Sequence, residues 1–283
     1  MRAWAAKQTK VAGRSTAGEG SGGGRTITRR ASRADLSRAR ERWGPHENTR
    51  VTETPAPAVS VIIPTLNEAE TIAAVIAAIP RPPACEVIVA DGPSTDGTAA
   101  IAAAARARVL DAGRGYGRAC AAGAAAADPA STILVFLDGD GADRADLMDR
   151  LIAPIAAGTH DFVLATRTRG GREPGAMAWH QVLAGRFAGA LLGLLYGAPA
   201  TDMCAFRAIR RAALEGLEMR EMGYGWNLEM QMRAAKAGLR VMEVKLPYRR
   251  RAGGRSKVAG SLTGSLRAGW RILATFVRIG RGG

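Results

Sequence analysis

Two carboxylates one residue apart, Asp138 and Asp140, close an apolar run that reads T-I-L-V-F-L from Thr132. A run rich in β-branched and aromatic side chains and ended by glycines predicts a buried strand, which delivers its last side chains to a sheet edge. In open α/β sheets the ligand crevice lies outside the carboxyl ends of the strands. An Asp-x-Asp pair placed there can ligate a hard cation through oxygen. Taken alone, the same tripeptide also fits a solvated acidic turn, since aspartate and glycine are ordinary turn formers.

The elements that must position the pair follow from the pattern around it. Ala58–Pro64 and Glu86–Asp91 are strand-like, and Glu68–Ile79 is helix-like, with Ile72, Val75, Ile76 and Ile79 on one face. Strand, helix, strand is the outline of a βαβ unit. Helices are predicted at Thr98–Arg106, Arg118–Ala127 and Asp146–Ala157, with strands at Arg108–Asp111 and Asp161–Thr166. Ala58 to Thr166 therefore reads as one parallel-sheet, nucleotide-binding half of an α/β protein. Beyond it lie a basic glycine loop (Arg167–Gly175), an apolar helix (Trp179–Tyr196) and mixed elements to Tyr248.

Three polar loops fall where consecutive strands end: P-T-L-N-E at Pro64–Glu68, D-G-P-S-T-D-G-T at Asp91–Thr98, and D-G-D-G-A-D at Asp138–Asp143. Polar strand ends on one edge make one site. The second loop suits ribose and base contacts, and equally an Asx-turn in which Asp96 caps the next helix. G-R-G-Y-G at Gly113–Gly117 does not complete the G-x-G-x-x-[GA] dinucleotide pattern, because Arg118 or Cys120 stands at its sixth position. It reads either as a diphosphate loop, with Arg114, Arg118 and backbone N–H groups at a helix start, or as a flexible connection with solvated arginines.

Composition bounds the rest. The chain has 283 residues, a net charge of +15 and 47% hydrophobic residues, enough for a sizeable core. Residues 1–57 hold 12 Lys/Arg against 5 Asp/Glu and a Gly/Ser run, a composition that points to a basic disordered tail. The remaining positive charge gathers beyond Arg167 and fits a phosphate-rich ligand, an anionic membrane or nucleic acid. Cys85, Cys120 and Cys204 show no pairing pattern, which indicates a reducing, cytoplasmic setting. No run is long enough to span a bilayer.

V-S-V-I-I-P-T-L-N-E, V-I-V-A-D-G-P-S-T-D-G-T, G-R-G-Y-G, F-L-D-G-D-G, D-M-C-A-F-R-A and G-Y-G-W-N-L-E occur in the order found in family 2 glycosyltransferases. The chain resembles that family over Ala58–Arg278. Through R-R-R-A-G-G-R-S-K-V at Arg249–Val258, it is most similar to the dolichyl- or polyprenyl-phosphate mannose and glucose synthase branch. The resemblance implies a GT-A (Rossmann-like) fold with a mostly parallel central sheet flanked by helices, and a catalytic domain over residues 58–258. It also implies that Pro64, Thr65, Glu68 and Asp91 hold the nucleotide, with Arg114 near it. Asp138 and Asp140 would bind Mg²⁺ or Mn²⁺ on the donor diphosphate, and Arg167, Arg251, Ser256 and Lys257 would meet phosphate. Asp202 and Glu229 match acidic positions that contact sugar or acceptor, or act as base toward a hydroxyl acceptor.

Residues 259–283 carry a C-terminal amphipathic helix, with Arg267, Arg271 and Arg278 on one face of Leu262–Ile279. This helix lies in a bilayer interface or packs on the protein's own core. Trp179–Tyr196 either completes a membrane-facing surface or packs inside. The expectation is thus an inverting, metal-dependent hexosyltransferase moving sugar from a GDP-mannose- or UDP-glucose-type donor to a polyprenyl phosphate, peripheral on the cytoplasmic membrane face, with no nucleic-acid partner. Two alternatives stand beside it: a soluble or glycan hydroxyl acceptor, and a non-catalytic nucleotide-sugar or nucleic-acid binding protein acting through its basic tail.

Overall fold

The computed structural model describes residues 57–81, 85–197 and 200–253. The basic tail, Ser256, Lys257 and the expected C-terminal helix lie outside the described residues. Strands β1 (Val59–Thr65), β2 (Cys85–Asp91), β3 (Arg108–Asp111), β4 (Ile133–Phe136), β5 (Phe162–Thr166), β6 (Arg207–Arg210) and β7 (Val241–Lys245) form a seven-stranded sheet in the order β3-β2-β1-β4-β6-β5-β7. The helices are α1 (Ile72–Ala78), α2 (Thr98–Ala104), α3 (Tyr116–Ala126), α4 (Asp149–Ala156), α5 (Trp179–Tyr196), α6 (Arg211–Gly216) and α7 (Trp226–Lys236).

Both faces of the sheet are covered, so its central strands are apolar throughout. Val61 and Ile63 of β1 pack with Ile72, Val75 and Ile76 of α1 on one face. Ile62 turns to the other face, among Cys120 of α3 and Trp226 and Met230 of α7. Gly123 lets α3 approach β1, since a Cβ there would stand 2.4 Å from Ile62 Cγ2.

The strands β1, β2, β3, β4, β5 and β7 run the same way, and β6 is antiparallel to both β4 and β5. The strands expected between Ala58 and Thr166 are parallel as anticipated, with β6 inserted between β4 and β5. The inserted strand reads Arg-Ala-Ile-Arg and carries a fully buried Arg207, so its hydropathy hides it. The helix expected from Glu68 begins only at Ile72, because Glu68 and Ala69 are tied instead to the β2–α2 loop. With one strand reversed, the carboxyl ends of the other strands and the chain entering β6 meet at a single edge.

Candidate active site

That edge holds a cavity of about 870 Å³, with Thr65, Glu68, Arg114, Asp138, Asp140, Arg167 and Arg251 in its wall. Its donor side is built from loops that hold one another. Thr65 Oγ1 and Ser94 Oγ each donate to Asp91 Oδ1 at 2.7 Å, fixing the ends of β1 and β2 together. Asp96 accepts from Thr98 N at 3.1 Å and from Ala69 N at 3.0 Å, so it closes an Asx-turn before α2, whose N-cap is Gly97, and at the same time ties down the Pro64–Glu68 loop. Burial opposes its ionisation, but the hydrogen bonds from Thr98 and Ala69 hold its carboxyl below the usual range.

The turn after β4 carries the acidic groups. Thr71 Oγ1 donates to Gly139 O at 2.6 Å, and Asp140 Oδ1 accepts from Ala142 N at 2.9 Å. Asp140 is 2% exposed, and its buried Oδ2 has no hydrogen bond; Arg251 Nε stands 3.0 Å from it as an ion pair. Burial, and then the charge on Asp140, push the Asp138 carboxyl up to about 6 against the pull of Arg251 and Arg167. Asp143 is pushed up to about 8 by burial and by the charges on Asp138 and Asp140. Crowded, desolvated carboxylates of this kind are stabilised by a cation.

Asp138 and Asp140 supply hard oxygen ligands suited to Mg²⁺ or Mn²⁺. Among the described residues no group of three or more His, Cys, Asp or Glu is placed to hold a metal ion. A cation at this pair would therefore draw further oxygens from a diphosphate, as is usual for Mg²⁺ sites.

On the opposite side, Arg167 and Asp202 form a bidentate pair: Nε to Oδ2 and Nη2 to Oδ1, each 2.7 Å, with Arg167 N on Oδ2 at 2.9 Å. Met203 N also donates to Oδ1, at 2.7 Å. Burial opposes ionisation of Asp202, yet the bonds from Arg167 outweigh it and hold its carboxyl below the usual range. Asp202, expected to contact sugar or serve as base, is placed against Arg167, with both oxygens engaged in orienting that guanidinium. The guanidinium also lies over the Tyr248 ring, 5.3 Å from its centroid.

Glu229 is likewise engaged by protein groups. It is fully buried in α7, outside the cavity wall, and accepts from Arg220 N at 3.0 Å, Glu221 N at 2.6 Å and Arg233 Nε at 3.0 Å. It holds the 219–225 loop. That loop caps α3, because Gly117 N donates to Gly223 O at 3.1 Å and Arg118 N to Met222 O at 3.0 Å. These two N–H groups are thereby committed; of the expected diphosphate loop, Gly113, Arg114, Gly115 and Tyr116 line the cavity. The glycines serve close approach: a Cβ on Gly117 would lie 2.3 Å from Glu221 O.

Several site groups were not singled out by sequence. Asp143 stood in the acidic turn, and Tyr116 inside G-R-G-Y-G. Tyr116 stacks on Tyr224, centroids 6.4 Å apart, and accepts from Asn227 Nδ2 at 3.3 Å; all three line the cavity. Arg207 stood inside D-M-C-A-F-R-A without a role. Its guanidinium donates to the carbonyls of Cys204 and Asn227, joining the β6 entry to α7.

The helix α5 forms a further wall through Gln181 and Ala184. Its inward face is small, Gly185, Ala188 and Gly189 with Leu192, while Trp179 (77% exposed), Leu183, Phe187 and Leu194 (81%) face outward. Among the described residues no helix is long and apolar enough to cross a membrane.

A mostly parallel sheet with one reversed strand and an acidic crevice at its carboxyl edge defines a glycosyltransferase of the GT-A fold. The chain belongs to glycosyl transferase family 2, which matches residues 60–217. It is 37% identical over 230 residues to an uncharacterized glycosyltransferase of Mycobacterium tuberculosis, covering 77% of this chain and 98% of that one. It is 29% identical over 215 residues to polyprenol monophosphomannose synthase of Mycolicibacterium smegmatis, covering 71% and 81%. The fold is similar to that of glucosyl-3-phosphoglycerate synthase from M. tuberculosis, crystallised with Mn²⁺, uridine diphosphate and phosphoglyceric acid. The TM-score is 0.61 at 22% identity, covering 79% of this chain and 78% of that one. The resemblance to the polyprenyl-phosphate branch is borne out by these relatives.

Proposed function

We propose that this glycosyltransferase moves a hexose, with inversion, from a nucleotide sugar to a polyprenyl phosphate. The observation that carries the reading is the cavity's two-sidedness. Carboxylates stand at one side, Arg167 and Arg251 across from them, and apolar Ala184, Met203 and Leu228 line the cavity toward α5. A nucleotide diphosphate suits the first part and a lipid phosphate the second.

In this reading Pro64, Thr65, Glu68, Asp91 and Arg114 receive the nucleotide, and Asp138 and Asp140 hold Mg²⁺ or Mn²⁺ on its diphosphate. The cation supplies charge stabilisation for the departing diphosphate. Arg167, fixed by Asp202 and backed by Tyr248, orients the acceptor phosphate. An ionised phosphate oxygen attacks the anomeric carbon as the bond from that carbon to the diphosphate oxygen breaks, and the nucleoside diphosphate leaves. No strong base is required, since a phosphate is already ionised near neutral pH. The engagement of Asp202 and Glu229 elsewhere supports that. Ser256 and Lys257, outside the described residues, are assigned to the donor phosphate.

The exposed apolar stripe of α5, together with exposed Arg169, Arg172, Arg249 and Arg250 near the site, supports peripheral binding to an anionic membrane on its cytoplasmic face. The purified full chain, given Mn²⁺ or Mg²⁺, polyprenyl phosphate and labelled GDP-mannose or UDP-glucose, should move label into the organic phase. Label transferred only to a water-soluble hydroxyl acceptor would overturn the lipid reading.

A further inference from the structure

We propose that Arg251 occupies the cation position of the carboxylate pair, so that the pair accepts a divalent cation tightly only in company with a diphosphate. This rests on the donor-site reading above. The Asp140 Oδ2 atom is buried without a hydrogen bond, and the Arg251 guanidinium 3.0 Å away is its compensating charge. A carboxylate removed from water requires such compensation.

The backbone fixes the guanidinium there. Arg249 N donates to Ala142 O at 3.0 Å and Ala252 N to Asp140 O at 3.1 Å, so the residues flanking Arg251 are pinned to the acidic turn itself. Gly141, at φ +75°, brings that turn against Ala252, where an added Cβ would stand 3.3 Å from the alanine methyl. The Arg251 side chain is one-third exposed, unlike the carboxylate it covers, and lines the cavity.

A bare divalent cation approaching Asp140 meets a like charge already in contact with its ligand, and repulsion opposes binding. A diphosphate reverses the balance. Its oxygens match the guanidinium fork, so Arg251 exchanges a carboxylate for phosphate as the cation takes the carboxylate. By linkage, diphosphate raises cation affinity and the cation raises diphosphate affinity by the same factor.

The test titrates the full-length protein with Mn²⁺, reading free Mn²⁺ by its electron paramagnetic resonance signal, alone and with UDP or GDP. Complexation of Mn²⁺ by nucleotide is subtracted from protein-free controls. Wild type should bind Mn²⁺ weakly alone and about tenfold or more tightly with one of the nucleotides, within the usual range of coupling. Arg251→Gln should tighten binding of Mn²⁺ alone and reduce the nucleotide effect to about threefold or less, while Arg251→Lys, which keeps the charge, should retain most of it. Unchanged or weaker binding of Mn²⁺ alone by Arg251→Gln, with the nucleotide effect intact, would overturn the exchange and leave the donor site standing. A wild type that binds neither Mn²⁺–UDP nor Mn²⁺–GDP would overturn both.

Discussion

The two walls of the cavity are built on different principles. The donor wall, from β1 to β4, is a succession of parallel strands whose end loops bind their immediate neighbours: Thr65 to Asp91, Asp96 to Ala69, Thr71 to Gly139. The opposite wall depends on a reversed strand and on guanidinium groups, Arg167 with Asp202, Arg207 with the Asn227 carbonyl, Arg251 with Asp140. The contrast teaches where each kind of residue can be exchanged. Donor-wall carboxylates such as Asp91 and Asp96 are held by hydroxyls and backbone N–H groups, whereas the far wall holds its carboxylate Asp202 by a guanidinium.

The sharpest break of that comparison is Asp140→Ala. Sugar transfer should fall about 10²–10³-fold, roughly 3–4 kcal/mol of transition-state stabilisation, with the melting temperature nearly retained. Transfer at the wild-type rate would remove the cation assignment. Asp202→Ala should do the reverse first: it strands the Arg167 guanidinium and costs about 3 kcal/mol of stability, read as a fall in Tm of roughly 6–12 °C. If it lowers activity while Tm stays put, Asp202 touches substrate after all.

Gly117→Ala tests the loop that joins the walls. Its new methyl meets the Glu221 carbonyl, so the Met222–Gly223 cap must lift from α3, at a cost of about 1–3 kcal/mol in chemical denaturation. Equal stability would show that the capping contacts are dispensable.

The acidic turn gives a pH signature. Asp138 and Asp143 have carboxyls raised in the folded protein, so the native state retains protons that the unfolded chain has released. Their contribution is present below the ordinary carboxylate range and is lost as pH rises through about 6 and about 8. In chelator, Asp143→Asn should therefore melt higher than wild type at about pH 8.5 and much like it at about pH 4. A constant difference across that range would refute the like-charge crowding.

The smallest effect on stability belongs to the outward face of α5. Leu183→Asp or Phe187→Glu should change stability by no more than about 0.5 kcal/mol, as exposed positions do, while abolishing sedimentation with anionic vesicles. A large loss of stability would mean that the stripe is covered by protein.

Much of the donor wall was legible in the residues. Short buried strands such as Val59–Thr65 and loops that end in Asp91 or Asp138 announce themselves through local periodicity and turn chemistry. The apolar run of α5 left two readings open in the sequence; its small residues and Leu192 pack inward against Ala200, Leu228 and Met232, while Trp179, Leu183, Phe187 and Leu194 are left outside.

By itself, then, the sequence determined the α/β order, the carboxylate pair and the family, since each is written in neighbouring residues. Only the tertiary structure decided which partner each charge meets. Asp202 and Glu229 carry the same charged group as Asp140, and burial alone does not separate them. What separates them is the partner each meets: Arg167 from 35 residues away, the 220–221 amides and Arg233, or Arg251 at the mouth of the cavity. Strand order sets those meetings, and strand order depended on the reversed β6, whose buried arginine conceals it from any local pattern.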